Sequence, residues 1–310
     1  MNDRHTPPHG YELSAEDYEL LRSAPPSRAL RWAMSTIGPG ARLAHVWALE
    51  GGTSSAMHAL DILDRRGRTH RLALRRLVRP DWLSEEPQAA LREATALDIV
   101  RRCPIRTPEL VAMDGDGKEA GAPTLLMTRL PGRIDWHPAD LETFLRGLAA
   151  ALPRIHATPL PAEPGVPPYD PYELGLTGPP PWASQPQLWL HAIELFHESA
   201  PSRERLLIHR DYHPGNVLWA HGEIAGVVDW VHASVGSPDA DVGHCRVNIA
   251  DRFGIKAAER FLDLYQAASG RSGYHPYWDI VAALGGVDDE CFDEASPGDE
   301  RFLAHALRRL

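Results

Sequence analysis

The period of the apolar positions changes along the chain, and the change divides it in two. SAEDYELLR, residues 14–22, reads as a short helix with Ser14 as N-cap and an acidic first turn. From residue 41 the period shortens. ARLAHVWALEGG alternates loosely and ends in a glycine pair, and SAMHALDILDRRGRTHRLALRRL reads as two strands joined at Arg66-Gly67. Residues 41–79 are therefore expected to form a small antiparallel sheet. EEPQAALREATALDIVRRC returns to helical spacing, and APTLLMTRLPG is a short apolar strand stopped by Pro131-Gly132. Beyond it the chain reads mainly helical. PADLETFLRGLAAALPRIHA, PQLWLHAIELFHES, ADVGHCRVNIADRFG, IKAAERFLDLYQAAS and DERFLAHALRRL are helices by spacing, and residues 159–187 are a long Pro- and Gly-rich loop. RLLIHRD is a short strand running into a loop, and NVLWAHGEIAGVVDW is a hairpin turning near His221-Gly222. The expectation is an α+β protein with a boundary near residue 130, the parts being 1–128 and 129–310.

Composition sharpens this picture. The chain has 310 residues, 43% of them apolar, enough for one large domain or two ordinary ones. It has no apolar run long enough for a spanning helix, and MNDRHTPPHG at its start is polar. Cys103, Cys245 and Cys291 lie far apart and form no CxxC pair, which argues against a disulfide framework and a cysteine–zinc site. A reduced, cytoplasmic protein is expected, with no membrane partner. The net charge of −10 is uneven: residues 1–130 hold 18 basic and 17 acidic groups, residues 131–310 hold 14 and 25. The second part would be a poor partner for nucleic acid and a better one for a cationic small molecule. Lys118 and Lys256 are the only lysines, and neither belongs to a P-loop motif.

The chemistry concentrates in HRDYHPGN, residues 209–216. His209 and His213 are spaced like zinc ligands on a helix, but Pro214-Gly215 would break that helix at once. The other residues fit better. His209-Arg210-Asp211, four residues and then Asn216 match the catalytic loop of phosphoryl-transfer enzymes, and Asp229 follows at the end of the apolar run IAGVVD. Asp211 can accept a hydrogen bond from a substrate hydroxyl. Asn216 and Asp229 offer the hard oxygens that Mg²⁺ prefers.

The stretch LLIHRDYHPGNVLWAHGEIAGVVDWVHASVGSPDADVGHCR resembles the signature of the aminoglycoside phosphotransferase family of small-molecule kinases, to which macrolide and choline-type kinases are similar. The resemblance implies a two-lobed, protein-kinase-like fold: residues 1–128 as the nucleotide-binding lobe, residues 129–310 as the catalytic and substrate lobe. It implies that Asp211 is the catalytic aspartate, that Asn216 and Asp229 bind magnesium, and that His209 and Asp241 are structural. The family's G-D-P stands here as Gly236-Ser237-Pro238, without the carboxylate. On the nucleotide side it implies phosphate contacts from Gly51, Gly52, Thr53 and Ser54, with Ser55 adjoining. Arg75 takes the place of the usual lysine, with Arg76 as second candidate. Glu93 is its helix partner, although Glu85 and Glu86 lie near. The backbone from Met127 to Arg129 would meet the base edge. The expected activity is transfer of the γ-phosphate of ATP or GTP to a small-molecule hydroxyl, an aminoglycoside or macrolide antibiotic among the candidates. The alternative is a catalytically weak nucleotide-binding or regulatory module of the same fold. The acidic stretch 288–300 could hold a polyamine, and Trp182, Trp189, Trp230, Tyr274, Tyr277 and Trp278 could line an apolar pocket or belong to the core.

Overall fold

A computed structural model describes residues 13–49, 52–171, 176–197, 200, 204–285 and 297–310, with side chains in the last segment from residue 300 onward. The chain divides into two compact units. The first comprises Met1–Arg101, Arg106–Gly132 and Ala225–Val231; the second comprises Arg102–Ile105, Arg133–Ile224 and His232–Leu310.

The first unit opens with α1 (Ala15–Arg22) and α2 (Ser27–Ile37). Ser14 caps α1, its hydroxyl accepting from Asp17 N–H at 3.0 Å. Strands β1 (Arg42–Ala48), β2 (Ala56–Leu63) and β3 (Thr69–Arg76) follow, then α3 (Pro80–Glu85), α4 (Ala89–Val100), β4 (Leu110–Asp114) and β5 (Thr124–Thr128). The five strands form one antiparallel sheet in the order β1-β2-β3-β5-β4. Leu60, Ile62, Leu72, Leu74 and Leu126 pack with Ala29 and Ala33 of α2 to make the core on one face. That burial is what fixes the register, because a slip of one residue would exchange the two faces. The expected three-strand sheet is thus part of a larger one, completed by β5 and by β4, which the alternation of residues did not reveal.

The second unit is mainly helical. It contains α5 (Leu141–His156), α6 (Pro186–Phe196), β6 (Leu206–Ile208), a 3₁₀ turn at Pro214–Asn216, β7 (Val217–Ala220) and the start of β8 (Glu223–Val227). Then come β9 (Ser234–Gly236), α7 (Pro238–Phe253), α8 (Ile255–Ser269), α9 (Tyr277–Leu284) and α10 (Pro297–Leu307). His221 and Gly222 join β7 to β8 with φ of 55° and 80°, the conformation that a two-residue hairpin requires. α5 packs on α8, and α7 lies against α8 and α9. Arg246 of α7 is fully buried and ties these helices together. Its Nε donates to Asp279 Oδ1 at 2.8 Å, its Nη1 to Ala258 O at 2.7 Å and its Nη2 to Glu259 Oε1 at 2.6 Å. The expected α+β class is the one adopted. No helix among the described residues is long and apolar enough to cross a membrane.

Candidate active site

The sheet face opposite the α2 core carries the polar groups of the first unit. Trp47, Ala59, Ala73 and Met127 stand level with one another across β1, β2, β3 and β5. A bulge between Leu43 and His45 inserts one residue into β1. It leaves Leu43 on the core side and turns His45 and Trp47 to the other. Trp47 is 43% exposed. The Arg129 guanidinium lies 4.5 Å from its ring centroid and also donates to Asp61 Oδ1 at 3.0 Å.

Two residues beyond Ala73, on the same face, is Arg75, only 3% exposed. Its Nη1 donates to Glu93 Oε1 at 2.8 Å and to Asp229 Oδ1 at 2.6 Å, and its Nε donates to Ser55 Oγ at 3.0 Å. Burial works against the guanidinium charge, but Asp229 and then Glu93 outweigh it and push the pKa upward. Arg75 is therefore a permanent cation at the convergence of three elements. Arg76 takes no part in this cluster, and Glu86 pairs with Arg92 instead. Asp229 adopts a left-handed backbone, φ 64°, which costs a non-glycine residue free energy that the surrounding contacts must offset. Of the expected phosphate-contacting residues, Ser54 Oγ lies 3.5 Å from Arg75 Nη2, and the Thr53 carbonyl accepts from Arg79 Nη1 at 3.4 Å. Gly52 has φ 60°, and Gly51 lies outside the described residues. The Thr128 N–H donates to Glu109 O at 2.9 Å and the Arg129 N–H to Arg71 O at 3.0 Å, so both are already engaged by protein carbonyls.

In the second unit the chain leaves β6 at Ile208 and enters the HRDYHPGN loop. Asp241, fully buried on α7, accepts from the N–H groups of His209 at 2.9 Å and Arg210 at 2.6 Å. It also meets His156 Nε2 at 3.0 Å. Tyr212, fully buried, donates its hydroxyl to Leu148 O at 3.0 Å. Asn216 Nδ2 donates at 2.9 Å both to the Asp211 carbonyl and to Asp211 Oδ2. His244 Nε2, from α7, reaches Asp211 Oδ1 at 3.0 Å. His213 Nδ1 accepts from Gly215 N–H at 3.1 Å, which turns the other ring nitrogen toward Asp211 Oδ1, 3.7 Å away. Gly215 permits this closeness, since a Cβ there would come within 2.5 Å of the His213 ring. Burial favours the neutral acid at Asp211. The field of His213, the hydrogen bond from His244 and the field of His232 override it and hold the carboxyl far below the usual carboxylate range. Asp211 is an anion that remains 28% exposed.

Among the described residues no group of three or more His, Cys, Asp or Glu side chains is placed to hold a metal ion. No hydrogen-bond donor among the described residues meets Asn216 Oδ1 or Asp229 Oδ2. The amide orientation follows from the two acceptors that face Nδ2.

The profile of the phosphotransferase enzyme family matches residues 45–284. The chain belongs to this family. No curated protein matches the phosphotransferase in sequence. Solved structures do match it in fold. The macrolide 2'-phosphotransferase MphH of Brachybacterium faecium aligns at 18% identity and a TM-score of 0.56, over 87% of this chain and 95% of its own. The aminoglycoside phosphotransferase APH(4)-Ia, solved with AMP-PNP and hygromycin B as a thermostable mutant, aligns at 16% identity and a TM-score of 0.59, over 86% and 94%. Aminoglycoside 2'-phosphotransferase-IIIa, solved with GDP, aligns at 14% identity and a TM-score of 0.55, over 90% and 96%.

Ser237 replaces the motif carboxylate but serves as N-cap of α7, its Oγ accepting from Asp239 N–H at 3.4 Å. Serine and aspartate are both good caps, which explains the exchange. Of the aromatic residues considered for a pocket, Trp189, Trp230, Tyr277 and Trp278 are buried in the core. The acidic stretch lies outside the described residues up to 296, and its last member, Glu300, is occupied. Glu300 accepts from Trp189 Nε1 at 3.0 Å, from Gln185 N–H at 3.1 Å and from the Ser184 hydroxyl. Sequence reading missed Trp47 and His244. The bulge hid the first. The second could be found only by noticing that it lies one helical turn beyond Asp241.

Proposed function

We propose that the protein transfers the γ-phosphate of a nucleoside triphosphate, ATP or GTP, to a hydroxyl of a small molecule. The observation that carries this reading is the state of Asp211: a partly exposed anion whose Oδ2 accepts from Asn216 Nδ2 at 2.9 Å and whose Oδ1 lies 3.0 Å from His244 Nε2. Such a group orients a hydroxyl rather than stripping its proton. The acceptor oxygen bonds to the γ-phosphorus as the bond to the β–γ bridging oxygen breaks, and the nucleoside diphosphate leaves. The hydroxyl proton ends on the transferred phosphoryl group, whose second pKa of about 6 makes it the stronger base. Arg75 steadies the α- and β-phosphates, and the 52–54 turn covers them. Asn216 and Asp229 are the residues that would hold magnesium, as hard-oxygen donors. When bound, the ion would neutralise charge on the nucleotide phosphates.

The excess of acid in residues 131–310 supports a cationic acceptor, 25 acidic against 14 basic groups. Aminoglycosides and macrolides head the acceptor panel, and inactivation of such an antibiotic would be the cellular role. The alternative of a weak regulatory module loses its two motives. Arg75 makes the expected ion pair with Glu93, and Ser237 replaces the missing carboxylate as a cap. The test is magnesium-dependent consumption of ATP and GTP across aminoglycosides, macrolides, sugars and amino alcohols. Consumption no greater than that of Asp211→Asn for every acceptor would refute the reading.

On the nucleotide side we assign the base to the level of Ala59, Ala73 and Met127, with Trp47 as its aromatic neighbour. The Arg129 guanidinium lies over the indole, and the assignment gives the base the opposite face of this partly exposed ring. Trp47→Ala is expected to raise the nucleotide KM about tenfold, for ATP and GTP alike because stacking tolerates any base. Trp47→Phe retains most of the affinity. A KM within about twofold of the parent for Trp47→Ala would remove Trp47 from the site.

A further inference from the structure

Asp211 is held from two directions. Asn216 Nδ2 takes Oδ2 from within the loop. His244 Nε2, on α7 and outside the loop altogether, stands 3.0 Å from Oδ1, close enough for its ring N–H to donate there. The second contact matters because of the torsion it controls. The carboxylate rotates about a single bond with a broad, nearly two-fold profile. One hydrogen bond at one oxygen leaves that rotation soft, whereas a second donor at the other oxygen closes it. His213 cannot do this, since its ring nitrogen is 3.7 Å from Oδ1, beyond hydrogen-bond range.

The helix that supplies His244 is already the brace of the loop. Asp241, one turn earlier, accepts the N–H groups of His209 and Arg210. Residues three apart share a helix face, so α7 sets the loop backbone through Asp241 and the loop carboxylate through His244. The His244 side chain is 26% exposed and is not a core-filling group.

We propose that His244 is a positioning residue for phosphoryl transfer: its ring N–H fixes the rotation of the Asp211 carboxylate and so aims the lone pair offered to the acceptor hydroxyl. This rests on the kinase reading of Asp211. Aim, not nucleotide affinity, is what its loss removes.

Four proteins test it: the parent, His244→Ala, His244→Gln and Asp211→Asn. His244→Ala is expected to lower kcat about 10- to 100-fold, as loss of a hydrogen bond to a charged group implies, with the nucleotide KM held within about twofold. His244→Gln, whose terminal N–H can occupy the Nε2 position, is expected to recover kcat to within about threefold of the parent. A kcat within about twofold of the parent for His244→Ala, or a glutamine variant as slow as the alanine one, overturns the proposal. A parent no faster than Asp211→Asn overturns the kinase reading instead. The contact itself is then decided by nitrogen-15 NMR of labelled histidines. The expected result is a His244 Nε2–H tautomer with a downfield proton that shifts in Asp211→Asn. An Nδ1–H tautomer, or a signal indifferent to Asp211→Asn, overturns the assignment.

Discussion

Asp211→Ala is expected to lower turnover by at least about 10²-fold, because the acceptor hydroxyl loses the group that orients it. Nucleotide affinity should stay within about threefold, because the groups assigned to the phosphates are Arg75 and the 52–54 turn. The loop should survive the change. Asn216 Nδ2 keeps its bond to the residue 211 carbonyl, and Asp241 still holds the two preceding N–H groups. Steady-state phosphorylation of an identified acceptor, with calorimetric titration of the nucleotide, separates the two effects. A variant that keeps more than about a tenth of the parent rate would show that Asp211 does not take part in the chemistry.

Arg75→Ala is expected to have the largest effect on stability. It would strand Glu93, 2% exposed, and leave Asp229 without its cation. Removing one partner of a buried ion pair costs about 3–5 kcal/mol. Arg75→Lys should be intermediate, since an ammonium keeps the charge but lacks the fork that serves Glu93, Asp229 and Ser55 together. Urea denaturation, followed through the transition of the first unit, measures both. A loss below about 1 kcal/mol for Arg75→Ala would mean that the buried carboxylates find another partner or take up protons.

The legible parts of the molecule were those in which chemistry or burial restricts sequence locally. On the proposed function, phosphoryl transfer needs an orienting carboxylate and hard oxygens at short, fixed separations, and Asp211, Asn216 and Asp229 offer these within one stretch of sequence. The apolar-Ala-apolar-cation pattern placed Arg75 on the sheet face opposite Leu72 and Leu74. α8 was read at its observed limits, Ile255–Ser269. What remained hidden had weak or distant signals. α2 starts after Pro26 without a side-chain cap, and β9 is three residues long. The β1 bulge defeats simple alternation, which would put Leu43 and Trp47 on one face. His244 acts on a residue far away in sequence, and only tertiary structure brings the two together.

The left-handed backbone at Arg210, φ 69°, bears on how this loop can drift in evolution. Its side chain reaches the Asp170 carbonyl and lies over the Tyr169 ring. Glycine there would give up both contacts but relieve the backbone, and asparagine would tolerate the same conformation. Valine or isoleucine would find neither relief nor partners. The middle letter of His-Arg-Asp is therefore filtered by chain geometry, while its neighbour Asp211, under the proposed function, is filtered by reaction chemistry. Two adjacent codons should accept very different sets of substitutions for unrelated physical reasons.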